Sequence, residues 1–335
     1  KTKLKHIYMK NKLLTLASML AAFNLNAIEL GPTGSGLEMS GFADYSVSSQ
    51  DGTTKPIQTA QVELNFDMSR GPVSFALDLD FYGSQGTTGS YNGDDGNVTS
   101  GTTGGNLEEA VVTYAFNDNL SVSVGRMLSY LGFEAYDPTN MYQFSYAYDY
   151  ATGGGQDIYD AYADGMSVDY AGDVFSIGIW TDLAEQSSFE YAFAYTGVEN
   201  LTVKAIFADY GDNADEIYTL WASYQIGNLL LGVEFAEDDK VDPAAATATN
   251  YKDDDIEAFL FMANYAITDS AAITLRYSEA DYTDTGATVT VDKFTVSPSY
   301  MFTDDLAGLV EFSSYDVIGG AEPDDLFAVE LIYTF

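Results

Sequence analysis

From Leu37 onward, apolar and polar residues alternate along almost the whole chain with a period of two. Leu37, Met39, Ala43, Tyr45 and Val47 are interleaved with Glu38, Ser40, Asp44 and Ser46. Ala60, Val62, Leu64, Phe66 and Met68 are interleaved in the same way with Gln61, Glu63, Asn65 and Asp67. This is the period of an extended strand, whose successive side chains point to opposite faces. Further runs follow through Phe81, Phe116, Val124, Tyr170, Ile179, Tyr195, Phe207, Tyr224, Phe235, Tyr265, Tyr277, Tyr300 and Phe312. With a last run at Phe327, Val329, Leu331, Tyr333 and Phe335, they make about 16 segments of roughly ten residues, the length a tilted strand needs to cross a bilayer.

The connections separate the architectures that share such alternation. Tight ones are read at Ser69-Pro72, Asn117-Asn119, Ala171-Asp173, Gly197-Asn200, Ile226-Asn228, Thr268-Ser270 and Thr303-Asp305. They alternate with longer acidic or Gly/Ser/Thr-rich ones near residues 48–57, 84–106, 128–162, 183–187, 210–215, 237–254, 280–287 and 316–324. Short-long alternation and an even strand count predict an all-β fold, a transmembrane up-and-down antiparallel barrel of about 16 strands. A soluble sandwich of this size would need crossovers of irregular length. Gly31 to Gly36 reads as a flexible lead into the first strand, and Gly83 to Gly105 as an exposed loop.

Residues 1–27 read as a cleavable signal peptide, with residues 1–8 as upstream sequence if translation starts at Met9. Lys3, Lys5, Lys10 and Lys12 precede the apolar run Leu13 to Phe23, and Leu25-Asn26-Ala27 offers a cleavage site. Residues 28–335 are then one barrel domain of the bacterial outer membrane. The chain holds 51 acidic and 13 basic residues, one His and no Cys. The acidity argues against nucleic acid, which needs a basic footprint. The single His6 lies in the targeting segment, so the exported chain has no Ser-His-Asp or Cys-His arrangement and no imidazole or thiolate metal site. We therefore expect no enzyme, no metal centre and no cofactor.

Two resemblances sharpen the reading. The final strand, closing on Tyr333 and Phe335, resembles the C-terminal strand of outer-membrane barrels, where it is the assembly signal read by the barrel-assembly machinery. Residues Asn106-Leu107-Glu108-Glu109-Ala110, then Gly125-Arg126 and Leu131-Gly132-Phe133-Glu134, resemble the OmpL-like putative β-barrel porins. That resemblance implies an outer-membrane channel for small solutes and names no solute. A trimer is what general porins imply.

About 16 strands leave a lumen too wide for wall side chains to fill. Parity places Glu63, Asp67, Asp78, Asp80, Glu109, Asp169, Glu190, Glu234, Glu311 and Glu330 inward, with the bases Lys204, Arg276 and Lys293. Arg126 has outward parity, but a bulge after Gly125 can turn it into the lumen. An acidic lumen concentrates cations and repels anions, so cation preference is expected. The alternative is that a few groups at the narrowest point set selectivity. The aromatic segment Tyr136 to Tyr162 is the candidate constriction loop. It is expected to fold across the lumen and to face Arg126 and Arg276 with Glu134, Asp137, Asp149, Asp157 and Asp160, alongside Tyr142 and Tyr146; packing on the barrel rim, or a further strand extension, is the alternative. Asp94-Asp95, Asp238-Asp239 and Asp253-Asp254-Asp255 read as a solvated outer rim, with binding of Ca²⁺, or of divalent ions bridging lipopolysaccharide phosphates, as the sharper reading. The function expected is a passive, cation-preferring porin. A barrel-anchored adhesin or structural protein with acidic loops is the other reading, and a secreted soluble β protein a third.

Overall fold

A computed structural model describes residues 27–32, 34–51, 56–85, 103–134, 137–150, 158–159, 161–184, 187–211, 216–239, 255–284, 287–316 and 324–335. The signal-peptide reading falls outside these residues except at Ala27. The strands are β1 (Ile28–Leu30), β2 (Leu37–Gln50), β3 (Ile57–Arg70), β4 (Val73–Gln85), β5 (Thr103–Ala115) and β6 (Leu120–Leu128). They continue as β7 (Tyr162–Ala171), β8 (Phe175–Thr181), β9 (Phe189–Tyr195), β10 (Leu201–Asp209), β11 (Glu216–Ile226) and β12 (Leu229–Asp239). The last are β13 (Asp255–Ala266), β14 (Ala271–Asp284), β15 (Ala287–Met301), β16 (Leu306–Tyr315) and β17 (Asp324–Thr334).

From β2 to β17 each strand pairs antiparallel with the next, and β17 returns to β2, closing a barrel of 16 strands. The closing seam runs from Leu326↔Gln50 to Thr334↔Phe42. It is tied off by reciprocal backbone bonds of 3.0 Å between Gly41 and Phe335. Gly41 is required there, because a Cβ would lie 2.1 Å from the Glu63 carbonyl oxygen.

The outward rows are those the alternation predicts. Tyr45, Val62, Val112, Ile179, Phe193, Phe261, Val310 and Val329 each leave over a third of their surface exposed. A soluble sheet would bury such a row, whereas lipid is its natural solvent. Around the short-turn end, periplasmic in outer-membrane barrels, Tyr114, Tyr170, Tyr195, Tyr224, Tyr265, Tyr300 and Tyr333 stand outward and exposed as an aromatic girdle. Tyr333 stacks on Phe335 there with centroids 6.2 Å apart.

Three local expectations need correction. The lead before β2 is a hairpin: β1 pairs with β2, and the Glu29 carboxylate accepts the Gly34 amide at 2.6 Å. The connection read at residues 280–287 is much shorter, since β14 and β15 stay paired out to Asp284↔Ala287. Asp238 turns inward and is buried in β12, not part of a solvated rim. Asp239 and Asp255 are exposed, and Asp94, Asp95, Asp253 and Asp254 lie outside the described residues.

Candidate functional site

Between β6 and β7, the described residues 129–134, 137–150, 158–159 and 161 lie inside the barrel and are held by the inner wall. Lumen-facing glycines make room for them. A Cβ on Gly178 of β8 would lie 2.6 Å from the Tyr130 ring, and one on Gly232 of β12 would lie 2.5 Å from the Phe133 ring. The Tyr130 amide donates to Glu190 at 2.9 Å and its hydroxyl to Asp169. Lys204 of β10 donates to the Tyr130 carbonyl at 2.6 Å, with the rings of Tyr130 and Trp221 within 6 Å. These contacts fix the root of the loop.

Farther along, Arg276 of β14 is wholly enclosed and donates to Glu134 and to the Ser145 carbonyl, both at 2.6 Å. It also reaches the Tyr146 carbonyl at 3.0 Å and the Thr295 hydroxyl at 3.2 Å. The other Glu134 oxygen accepts the Ala147 amide at 2.7 Å. Lys293 of β15 pairs with Asp149 at 2.7 Å and sits 4.8 Å from the Tyr315 ring centroid. Glu311 of β16 accepts the amides of Phe144 and Ser145 at 2.7 and 3.0 Å, and the Ser145 hydroxyl. Thr274 donates to the Tyr142 carbonyl at 2.9 Å. A segment without regular structure thus has its polar backbone met by wall side chains, as a buried loop requires.

Rings of the loop pack on an apolar half of the inner wall. Tyr148, Tyr150 and Tyr159 form one cluster with Ile206, Trp221, Leu260, Met262 and Tyr282. This departs from the expectation that inward positions are polar. Where the loop docks, both faces of the wall meet apolar surroundings, lipid outside and loop inside. Burial pushes the phenols of Tyr130, Tyr142, Tyr148 and Tyr150 above the ordinary tyrosine range.

The opposite part of the wall is acidic. Asp44 of β2, Glu63 of β3, Asp80 of β4, Glu108 of β5 and Glu330 of β17 all face inward and are buried. Glu63 stands directly across from Asp80, and Asp78 across from Glu109. A register shift after Asp78 gives β5 one extra residue and turns Glu108 to the lumen side as well. Asp137, just before the short 3-10 turn Pro138–Asn140, extends to this wall. Oxygens of Asp137, Glu63 and Glu108 lie within 4.8 Å of one another.

Of the residues expected at the site, Lys204, Arg276, Lys293, Asp169 and Glu190 meet the loop through side chains. Glu134 and Asp149 answer them, while Tyr142 and Tyr146 serve through their carbonyls. Arg126 does not join them. It keeps the outward parity of Val124, stands opposite Ala110 and Asp164, and donates to the Leu107 carbonyl at 2.9 Å in an exposed position. Gly125 does adopt a positive φ of 141°, but the strand keeps its register through Arg126. Asp157 and Asp160 lie outside the described residues. Sequence reasoning missed Glu108, the docking role of Glu311 and the inward glycines; glycines at inward parity within otherwise regular strands were the available signal.

Residues 39–153 match the family putative beta-barrel porin-2, OmpL-like. The OmpL-like stretch runs from β2 into the lumen loop and contains the Leu107 to Glu134 run quoted above. By fold and family match, the chain is a β-barrel protein of the outer membrane. Among solved structures it is similar to Salmonella typhi OmpF in complex with daunomycin, with a TM-score of 0.66 at 14% identity over 92% of this chain and 100% of that one. It is similar to in-vitro folded OmpT of Vibrio cholerae, with a TM-score of 0.64 at 14% identity over 89% and 97% of the two chains. The anion-selective porin of Comamonas acidovorans gives 0.61 at 16% identity over 89% and 99%. At such identities the likeness concerns the fold. No curated protein matches the sequence.

Proposed function

We propose that this protein is a passive outer-membrane channel for small hydrophilic solutes, with a preference for cations. The observation that carries the preference is how the lumen's charges are divided. Among the described residues, the lumen-facing bases are Lys204, Arg276 and Lys293, and all three are bonded to the loop. The acids of β2 to β5 and β17 line the side away from those bases. These carboxylates are buried in the wall, and they act on a solute passing between loop and wall through their field, which a narrow, low-dielectric passage strengthens. The fold alone does not decide the sign, since one of the similar barrels is an anion-selective porin. No catalytic step is involved, and a trimer is supported by the trimer form in which Vibrio cholerae OmpT is known.

The adhesin reading assigns the work to the outer loops and asks nothing of the lumen. The extensive wiring of the loop to the inner wall favours the channel instead, because it shapes a passage. Conductance in planar bilayers separates the two. A channel gives stepwise currents, which deletion of residues 141–155 enlarges; an anchor with a plugged lumen passes almost none.

A further inference from the structure

Beneath the loop, at the short-turn end of the lumen, the stretch Pro138–Tyr142 and the ends of the wall strands enclose a cavity of about 320 Å³. Its chemistry differs from that of the acidic wall. Met141, Leu230, Leu309 and Ile332 supply apolar surface, and Tyr142 a ring. Gln225, Asn228 and Asn264 bring carboxamides, and Ser299 a hydroxyl. Apart from tyrosines, the ionisable residue in the lining among the described residues is Asp269, which is exposed in the turn between β13 and β14.

The amides are already committed in one sense. Asn264 donates to the Thr274 hydroxyl at 2.8 Å and Gln225 to the Gly227 carbonyl at 2.7 Å. Their side-chain oxygens are thereby left as acceptors, which suit a molecule that brings O–H donors. An anion would find no cation among the described residues of this lining, and a pure hydrocarbon would bury the amide oxygens unmet at a cost. We propose that this vestibule is a binding subsite for neutral, polyhydroxylated rings, a saccharide or glycoside. The C–H face would rest on Leu230, Leu309, Ile332 and Met141, and the hydroxyls would be read by the amides. The volume lies at the lower end of the ligand-pocket range of about 300–1,000 Å³, enough for one or two sugar rings. This rests on the channel reading, because the vestibule lies on the path a solute would take. Binding is weak, as a conducting path requires.

Maltose is the probe, with zwitterionic glycylglycine as control. It is titrated calorimetrically into the detergent-folded barrel, and separately added to each side of a bilayer holding the channel. The expected result is saturable heat and a saturable fall in KCl current with maltose and not with glycylglycine, at lower concentration from the periplasmic side. Leu309→Ala weakens both about tenfold by removing one aliphatic contact; Met141→Ala is the second variant should the first fail to fold. Conductance without maltose heat or block, or equal effects of maltose and glycylglycine, overturns the subsite and spares the channel. Affinity unchanged in a folded variant also overturns it. Maltose heat that Leu309→Ala weakens, from a protein that passes no current, supports the pocket and sinks the channel.

Discussion

Replacing Arg276 with Met preserves much of the side chain's length and removes every N–H. Lost are the bonds to Glu134, to the Ser145 carbonyl and hydroxyl, to the Tyr146 carbonyl and to Thr295. Removing one member of a buried, hydrogen-bonded ion pair costs about 3–5 kcal/mol, largely because the other charge stays buried. Here the loop can relieve that cost by lifting Glu134 off the wall. At about 1.4 kcal/mol per factor of ten, the lifted state gains about a hundredfold to a few thousandfold in population. The loop is not freed outright, since Lys293–Asp149, Lys204 with the Tyr130 carbonyl, and Glu311 with its two amides remain. Single-channel recording should therefore show a quiet parent and an Arg276→Met variant that flickers to higher conductance. The double variant Glu134→Gln/Arg276→Met should be quieter than the single one, because no charge is left stranded. A single variant as quiet as the parent, at the same conductance, would show that this pair does not hold the loop.

Other expectations follow from the same contacts. Gly178→Val and Gly232→Val drive a side chain into the rings of Tyr130 and Phe133, so each should expose the loop to protease while the barrel stays heat-resistant on gels; intact loops would contradict the packing. Val329→Arg puts a charge on the lipid face of β17 and should lower folding stability in vesicles by about 2–4 kcal/mol, read by urea titration; no change would mean that row does not face lipid. The raised phenols of the loop make folding favour their protonated form. That stability is complete below the unfolded tyrosine value near pH 10 and is lost as pH climbs through the folded values. Accordingly, Tyr142→Phe and Tyr148→Phe should leave the tyrosinate absorbance of the folded protein at pH 11 unchanged, and a drop would show that these rings are wet.

The barrel was legible because its outward rows and tight turns obey one rule over the whole chain. Phe259, Phe261 and Tyr265 stand where their spacing puts them, and the seven short turns lie where read. What parity cannot report is the company a side chain keeps on the inner face. In β13, Ile256, Leu260 and Met262 point inward and are buried, because a loop more than a hundred residues earlier covers them. Polarity alternation signals enclosed water only where nothing else fills the enclosure. Lys204, Arg276 and Lys293 were found by parity, and the aromatic crowding of residues 141–150 pointed to an inserted loop. Glu108 escaped because one extra residue in β5 resets the face, and nothing in Leu107-Glu108-Glu109 marks which neighbour bulges. Arg126 misled for the complementary reason: a glycine that permits a bulge does not produce a turn of the chain into the lumen.

A cation-preferring channel needs a conducting lumen whose bases are held by the loop and whose wall acids set the field along the way past it. The reversal potential of the purified protein in a planar bilayer under a KCl gradient tests this most directly. The expected result is current through open steps and a potential of the sign set by K⁺ crossing more readily than Cl⁻, reduced when Asp80 and Glu108 are both made amides. A potential of the opposite sign, or a folded barrel that passes no current, would contradict it.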